Sequence, residues 1–202
     1  MMQKSKRAVK RLAYIFNKQH YCYFYPKGIY FMLFRPKWWL KSVLDIDREF
    51  LEKTHIRGFI LDLDNTLSMH GSPAAEKGVF EWLDRMRDCG IRMYILSNNT
   101  KQRVEPLARE LGLPFFAFGC KPLPGGIRRA ISALKLPKSQ IALVGDQIFT
   151  DMIGGNVCGI QTILVEPFHL ENKLSFRFKR KLESVVFKRD YSLLETKNAE
   201  KK

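Results

Sequence analysis

Asp62 and Asp64 stand two residues apart at the end of the apolar run Phe59–Leu63. Strand periodicity would send both carboxylates to the same side. A carboxylate inside such a run is costly to bury unless a metal or a phosphate site compensates it. Asn65 and Thr66 follow as turn residues. Three further apolar runs end in polar groups. Met93–Leu96 opens into Ser97-Asn98-Asn99-Thr100, Phe115–Phe118 into Gly119-Cys120-Lys121-Pro122, and Ile141–Val144 into Gly145-Asp146, with Asp151 soon after. Carboxylates supply hard oxygen ligands for Mg²⁺, while a lysine and a hydroxyl suit phosphate oxygens.

These groups work together only if the runs lie side by side. Helical patterns separate them: Ser42–Lys53, Ala74–Cys89 closed by Gly90, residues 101–111, Gly125–Leu134 and a short helix to about Val157. A final strand is expected over Gln161–Val165. Strands alternating with helices predict an α/β fold with a doubly wound parallel sheet. In such a sheet all strand C-termini share one edge, so Asp62, Asp64, Ser97, Lys121, Asp146 and Asp151 can converge there.

In this order the groups resemble the four motifs of the haloacid dehalogenase (HAD) superfamily: Asp62-Leu63-Asp64-Asn65-Thr66-Leu67, Ser97, Lys121 and Gly145-Asp146…Asp151. The resemblance covers roughly residues 57–166. It implies that Asp62 is the nucleophile that forms an aspartyl-phosphate. Asp64 is then the general acid and later the base, while Ser97 and Lys121 hold the phosphoryl group. It also implies Mg²⁺ bound by Asp62, the backbone carbonyl of Asp64, and Asp146, with Asp151 completing or supporting that shell. Asn98 is a candidate for the same phosphate, with helix capping as its alternative. Lys121 can equally be read as a solvated loop lysine, and Asp151 as an acid serving a helix dipole. Thr66 reads as a turn residue, Cys120 as packing, and His70 is given no role.

Residues 67–91 leave room for a loop and one helix, and residues 100–120 for one helix and a strand. Neither interval accommodates a cap domain, so the site is expected to be open. This resembles the capless HAD subfamily IIIA, in the branch that includes phosphatidylglycerophosphate phosphatases. The resemblance implies a Mg²⁺-dependent phosphomonoester hydrolase. That branch also has members of unassigned substrate, so the motifs do not give the lipid. Phosphatidylglycerophosphate is the preferred substrate, with a soluble phosphosugar or nucleotide as the alternative.

The chain has 202 residues, 46% hydrophobic and 27% charged, with a net charge of +15. Residues 1–48 hold 11 Lys/Arg against 2 Asp/Glu, residues 168–202 hold 10 against 5, and the middle 14 against 13. The expected organisation is therefore a basic aromatic extension over 1–48, an enzyme domain over 49–167 and a basic amphipathic extension over 168–202. A neutral body with basic ends suits an anionic membrane surface. Nucleic acid is the alternative from another class, but no recognised RNA-binding motif appears, and none is expected as partner. The aromatic run Tyr21–Leu40 either packs on the domain or forms an interfacial belt. Leu174, Phe178, Leu182, Val185 and Val186 share one helical face. The stretch Tyr21–Phe34 is interrupted by Pro26, Lys27 and Gly28, and no secretory signal is evident. Four scattered cysteines without metal-ligand spacing read as reduced and mostly core. The expectation is a monomeric cytoplasmic enzyme, peripheral at the inner face of the membrane.

Overall fold

A computed structural model describes residues 33–168. The first 32 residues of the basic aromatic extension and the amphipathic segment around Leu174–Val186 lie outside the described residues.

Six parallel strands form one sheet in the order β1-β6-β5-β2-β3-β4. They are β1 (Trp38–Leu40), β2 (Gly58–Leu61), β3 (Arg92–Leu96), β4 (Phe115–Phe116), β5 (Ile141–Gly145) and β6 (Gln161–Val165). The helices are α1 (Arg48–Thr54), α2 (Val79–Asp88), α3 (Lys101–Glu110), α4 (Pro124–Leu134) and α5 (Ile153–Cys158). Alternation along the strands divides the core in two. Phe59, Leu61, Ile95 and Val144 pack with Trp82, Leu83, Val104 and Leu107 from α2 and α3. Ile60, Leu96 and Leu143 pack with Ile127, Ala130 and Cys158 from α4 and α5. Apolar side chains leave both faces of each central strand, so the sheet is covered on both sides and the doubly wound expectation holds. Trp82 is fully buried and donates its indole N–H to the Ile46 carbonyl at 3.1 Å, which satisfies its one polar atom.

Several element boundaries differ from expectation, each for a local reason. The helix expected over Ser42–Lys53 is split in two. Ser42 caps a 3₁₀ turn (Val43–Asp45), Ile46 is extended, and Asp47 accepts from Phe50 N–H to start α1 afresh. The helix α2 starts at Val79 and not at Ala74, because Gly78 takes φ 88° and the Glu76 N–H bonds back to the Leu67 carbonyl. Strand β4 stops at Phe116, two residues early, because Phe118 turns left-handed at φ 52°.

Strand β1 joins the sheet edge beside β6. Trp38 packs edge-on against Phe50 with centroids 5.5 Å apart and donates its indole N–H to Gln161 Oε1. For Trp38, packing on the domain is the reading that holds. The sheet thus begins ahead of residue 49, within the stretch that charge distribution alone assigns to the N-terminal extension. Residues 67–91 hold only α2, and residues 100–120 only α3 and β4, so among the described residues no cap domain is inserted in either interval. No helix among the described residues is long and apolar enough to cross a membrane.

Candidate active site

Register brings the strand ends together. Leu61 pairs with Ile95 on one side and Val144 on the other. Asp62 is therefore level with Leu96 and Gly145, and Ser97 and Asp146 lie one step further along. The Asp62 N–H prolongs the β2–β5 ladder by bonding to the Val144 carbonyl. The chain winds outward from β2 through β3 to β4, then returns to β5 on the other side of β2. Asp62 and Asp146 consequently flank the switch point where open α/β sheets place their sites.

Lys121 reaches this point from the loop after β4. Its ammonium lies 2.5 Å from Asp62 Oδ1 and 2.7 Å from Asp151 Oδ1, with all three side chains buried. Two features hold the loop there. The Asn98 amide grips the main chain of Lys121 from both sides, accepting from its N–H at 2.7 Å and donating to its carbonyl at 2.9 Å. Helix α4 also approaches closely, since a Cβ on Gly126 would lie 2.4 Å from the Gly119 carbonyl oxygen. Asn98, a candidate phosphate ligand, thus has both ends of its side chain engaged in fixing Lys121. Asp151 sits in a π-helical turn (Ile148–Met152), an irregularity common at functional sites. It approaches β5 so closely that a Cβ on Gly145 would stand 2.4 Å from its carboxylate. Ser97 is buried, and its hydroxyl accepts from the Asn99 N–H at 3.1 Å while retaining an O–H to donate.

Asp64 occupies the outer side of the site. Its Oδ1 accepts from Arg103 Nη2 at 2.8 Å and from the Gly71 N–H at 3.4 Å, and its Oδ2 accepts from the Asn99 amide at 2.9 Å. Arg103 also donates to Ser68 Oγ at 3.1 Å. His70 Nδ1 lies 3.9 Å from Asp64 Oδ1. Arg103, Asn99 and His70 are residues the motif reading did not place. Arg103 left one local signal. Lys101 and Arg103 stand in the first turn of α3 with no acid there, against the helix dipole, so a nearby carboxylate is expected to hold Arg103 in place. Thr66 is fully buried in the turn. Cys120 does not pack as expected: it is exposed, in a left-handed turn at φ 50°.

Asp62, Asp64, Asp146 and Asp151 are all buried; Lys121 pairs with Asp62 and Asp151, and Arg103 pairs with Asp64. Burial, opposed by Lys121 and reinforced by Asp151 and Asp64, pushes the Asp62 carboxyl up to about 7. Burial works against the Lys121 charge, yet Asp151 and Asp62 more than offset it and push the amine above its ordinary value. Asp62, Asp146 and Asp151 each offer an oxygen, all within 4.8 Å of one another. Three hard oxygen donors this close together fit a divalent cation.

A capless parallel sheet with acids and a buried lysine at its switch point defines a class of phosphomonoester hydrolases. The chain belongs to the haloacid dehalogenase-like hydrolase family, whose sequence profile matches residues 77–159. It is 37% identical over 150 residues to "Probable phosphatase YqeG" of Bacillus subtilis (strain 168), covering 74% of this chain and 87% of that protein. Two relatives are 27% identical. Over 160 residues it matches "Phosphatidylglycerophosphate phosphatase 1, chloroplastic/mitochondrial" of Arabidopsis thaliana, covering 74% of this chain and 46% of that protein. Over 156 residues it matches "Phosphatidylglycerophosphate phosphatase 1, chloroplastic" of Chlamydomonas reinhardtii, covering 69% and 58%. The chain thus spans about half the length of these two relatives. It is a phosphoric monoester hydrolase of this family.

Proposed function

We propose that this enzyme removes the terminal phosphate of a lipid-borne phosphomonoester, phosphatidylglycerophosphate, through an aspartyl-phosphate on Asp62, with Mg²⁺ held by Asp62, Asp146, Asp151 and the carbonyl of Asp64. The observation that carries the chemistry is the Lys121 ammonium bridging Asp62 and Asp151 at the strand edge. Lys121 holds Asp62 Oδ1, which leaves the second carboxylate oxygen to attack phosphorus. As the Asp62 O–P bond forms, the ester P–O bond breaks, and Asp64 gives its proton to the departing alkoxide. Asp64 then takes a proton from water, whose oxygen attacks phosphorus and frees Asp62 and inorganic phosphate. Ser97 donates its O–H to the transferring phosphoryl group, and Lys121 offsets its charge. Mg²⁺, when bound, screens the repulsion between the Asp62 carboxylate and the phosphate dianion.

The lipid substrate is supported by the short intervals after β2 and β3, which hold no inserted cap among the described residues, by the basic ends and by the names of two relatives. A membrane-peripheral enzyme in the cytoplasm fits the same features. The test is turnover by the purified chain, with and without Mg²⁺, on phosphatidylglycerophosphate in vesicles and on a panel of sugar phosphates and nucleotides. A clear preference for the lipid is expected. A higher kcat/KM for a soluble phosphosugar or nucleotide would overturn the lipid assignment and leave the phosphatase intact.

A further inference from the structure

Among the described residues, the two most exposed large apolar side chains are Leu123 at 64% and Phe118 at 58%, and they bracket Lys121 in sequence. Phe118 does not drift outward by chance of a loose turn. Its N–H is bonded to the Asn99 carbonyl at 2.9 Å, and its backbone sits at φ 52°, where a bulky aromatic is rarely found. A left-handed residue is retained where surrounding structure fixes it, and here it displays the ring to solvent. Leu123 stands at the N-cap of α4, and its N–H bonds to the Cys120 carbonyl, which closes the turn beneath it.

A third apolar side chain, Met69 at 39% exposure, comes from the loop after β2. That loop is joined to the Phe118 segment through Asp64 and Asn99: the Asn99 amide donates to Asp64, and its carbonyl accepts from Phe118. Phe118, Leu123 and Met69 therefore belong to the two loops that carry Lys121 and Asp64. Single exposed apolar residues are ordinary, but three on the loops that form a site are not scattered.

Charge indicates what meets this edge. Lys101, at the start of α3, is 64% exposed and pairs with Glu105 at 3.9 Å, so the local charge is small and the basic excess lies elsewhere in the chain. The whole chain carries +15, most of it outside the near-neutral middle. Apolar tips on a chain with a large positive net charge match a bilayer with anionic headgroups, which accepts the tips below the headgroup level and attracts the basic chain. We propose that the Phe118–Leu123 loop, together with Met69, docks into an anionic lipid surface and presents the strand edge carrying Asp62 and Lys121 to headgroup phosphates. This rests on the reading of the site as a phosphatase of lipid-borne substrate, and it assigns membrane contact to named loops of the catalytic domain as well as to the basic ends.

The test uses the full chain and vesicles of phosphatidylcholine with phosphatidylglycerol. Leu123→Ser is the mild variant, because serine is favoured at an N-cap and Leu123 has an ordinary φ of −60°. Phe118→Ser/Leu123→Ser is the strong one. Val157→Ser is the control, since Val157 is 50% exposed at the end of α5, on the opposite edge of the sheet. Wild type and Val157→Ser should bind the vesicles alike. The double variant should bind about tenfold or more weakly, Leu123→Ser should fall between, and hydrolysis of p-nitrophenyl phosphate should be retained. Unchanged vesicle binding by the double variant would overturn the proposal and leave attachment to the basic ends. A matching loss of p-nitrophenyl phosphate turnover in the folded Leu123→Ser protein would also overturn it, since the loop would then shape the site for a soluble substrate. Wild type that ignores vesicles would overturn it too, in favour of a protein partner for this edge. Vesicle binding that depends on Phe118 and Leu123, without hydrolysis of the lipid phosphate, would support the docking surface while the lipid-substrate reading falls.

Discussion

Arg103 Nη2 lies 2.8 Å from Asp64 Oδ1, and both side chains are largely buried. With Asn99 on the other oxygen, the plane of the Asp64 carboxylate is fixed from two directions. Oδ1 already accepts from Arg103 and Gly71, whereas Oδ2 accepts from Asn99 and keeps a lone pair for proton transfer. Under the proposed mechanism Arg103 is a positioning residue for Asp64.

Arg103→Met should slow hydrolysis of an alkyl phosphate, whose leaving alkoxide needs a proton, by roughly 10²-fold. The same variant should act on p-nitrophenyl phosphate nearly as wild type does, because nitrophenolate leaves unaided. Arg103→Lys should recover part of the loss. Equal loss on both substrates would show that Arg103 does not act through the acid.

Asp62→Asn should reduce turnover roughly 10⁴-fold or more, as removal of a covalent nucleophile does. Its fold should persist, because Lys121 keeps Asp151 as a partner at 2.7 Å. Asp64→Asn should also be impaired, while still accumulating acyl-phosphate on Asp62. Finding no such label on wild type or on Asp64→Asn would argue against the covalent route.

Lys121→Met leaves Asp62 and Asp151 buried without their shared cation. Removing one member of a buried pair costs about 3–5 kcal/mol. The variant should therefore unfold at lower denaturant in the absence of metal and recover most of that loss in Mg²⁺. A midpoint that Mg²⁺ leaves unchanged would contradict the assignment of these acids as its ligands.

The Asp62 carboxyl is raised from its ordinary value of 3.8 to about 7, chiefly by burial. The native state then binds more protons than the unfolded state between those values. The stability this contributes is fully present below about 4 and is lost as pH rises through about 7. A divalent cation competes with that proton. The rise in melting temperature caused by Mg²⁺ should accordingly be larger at about pH 8 than at about pH 5.5, and an effect equal at both would refute the reading.

Gly145→Ala should displace Asp151, whose carboxylate the new methyl would meet at 2.4 Å. Overpacking of this kind costs about 1–3 kcal/mol. Calorimetry should show that loss together with weaker Mg²⁺ binding. A variant as stable and active as wild type would mean that Asp151 can retreat without consequence.

The residues proposed to do the chemistry were legible in the sequence because strand ends are written locally. Continuous apolar runs ending in Asp62, Ser97 and Asp146 carry both the fold class and the site edge, and observed register aligns them. Boundaries were less legible where one residue's backbone decides them. The left-handed Gly78 and Phe118 moved α2 and the end of β4, and Asp47 divided a helix that apolar spacing alone joins.

The sequence by itself determined the doubly wound sheet, the missing cap and the acids with their lysine, since periodicity, interval length and residue chemistry are properties of short stretches. Tertiary structure alone decided which groups hold which. Arg103 meets Asp64 across 39 residues, Asn98 grips Lys121 across 23, and Lys121 meets Asp62 across 59. It also decided that β1 joins the sheet through Trp38 and Gln161, 123 residues apart. Such contacts depend on how α3, the β4–α4 loop and the sheet pack in space, and no local pattern encodes the distance between two side chains on separate elements.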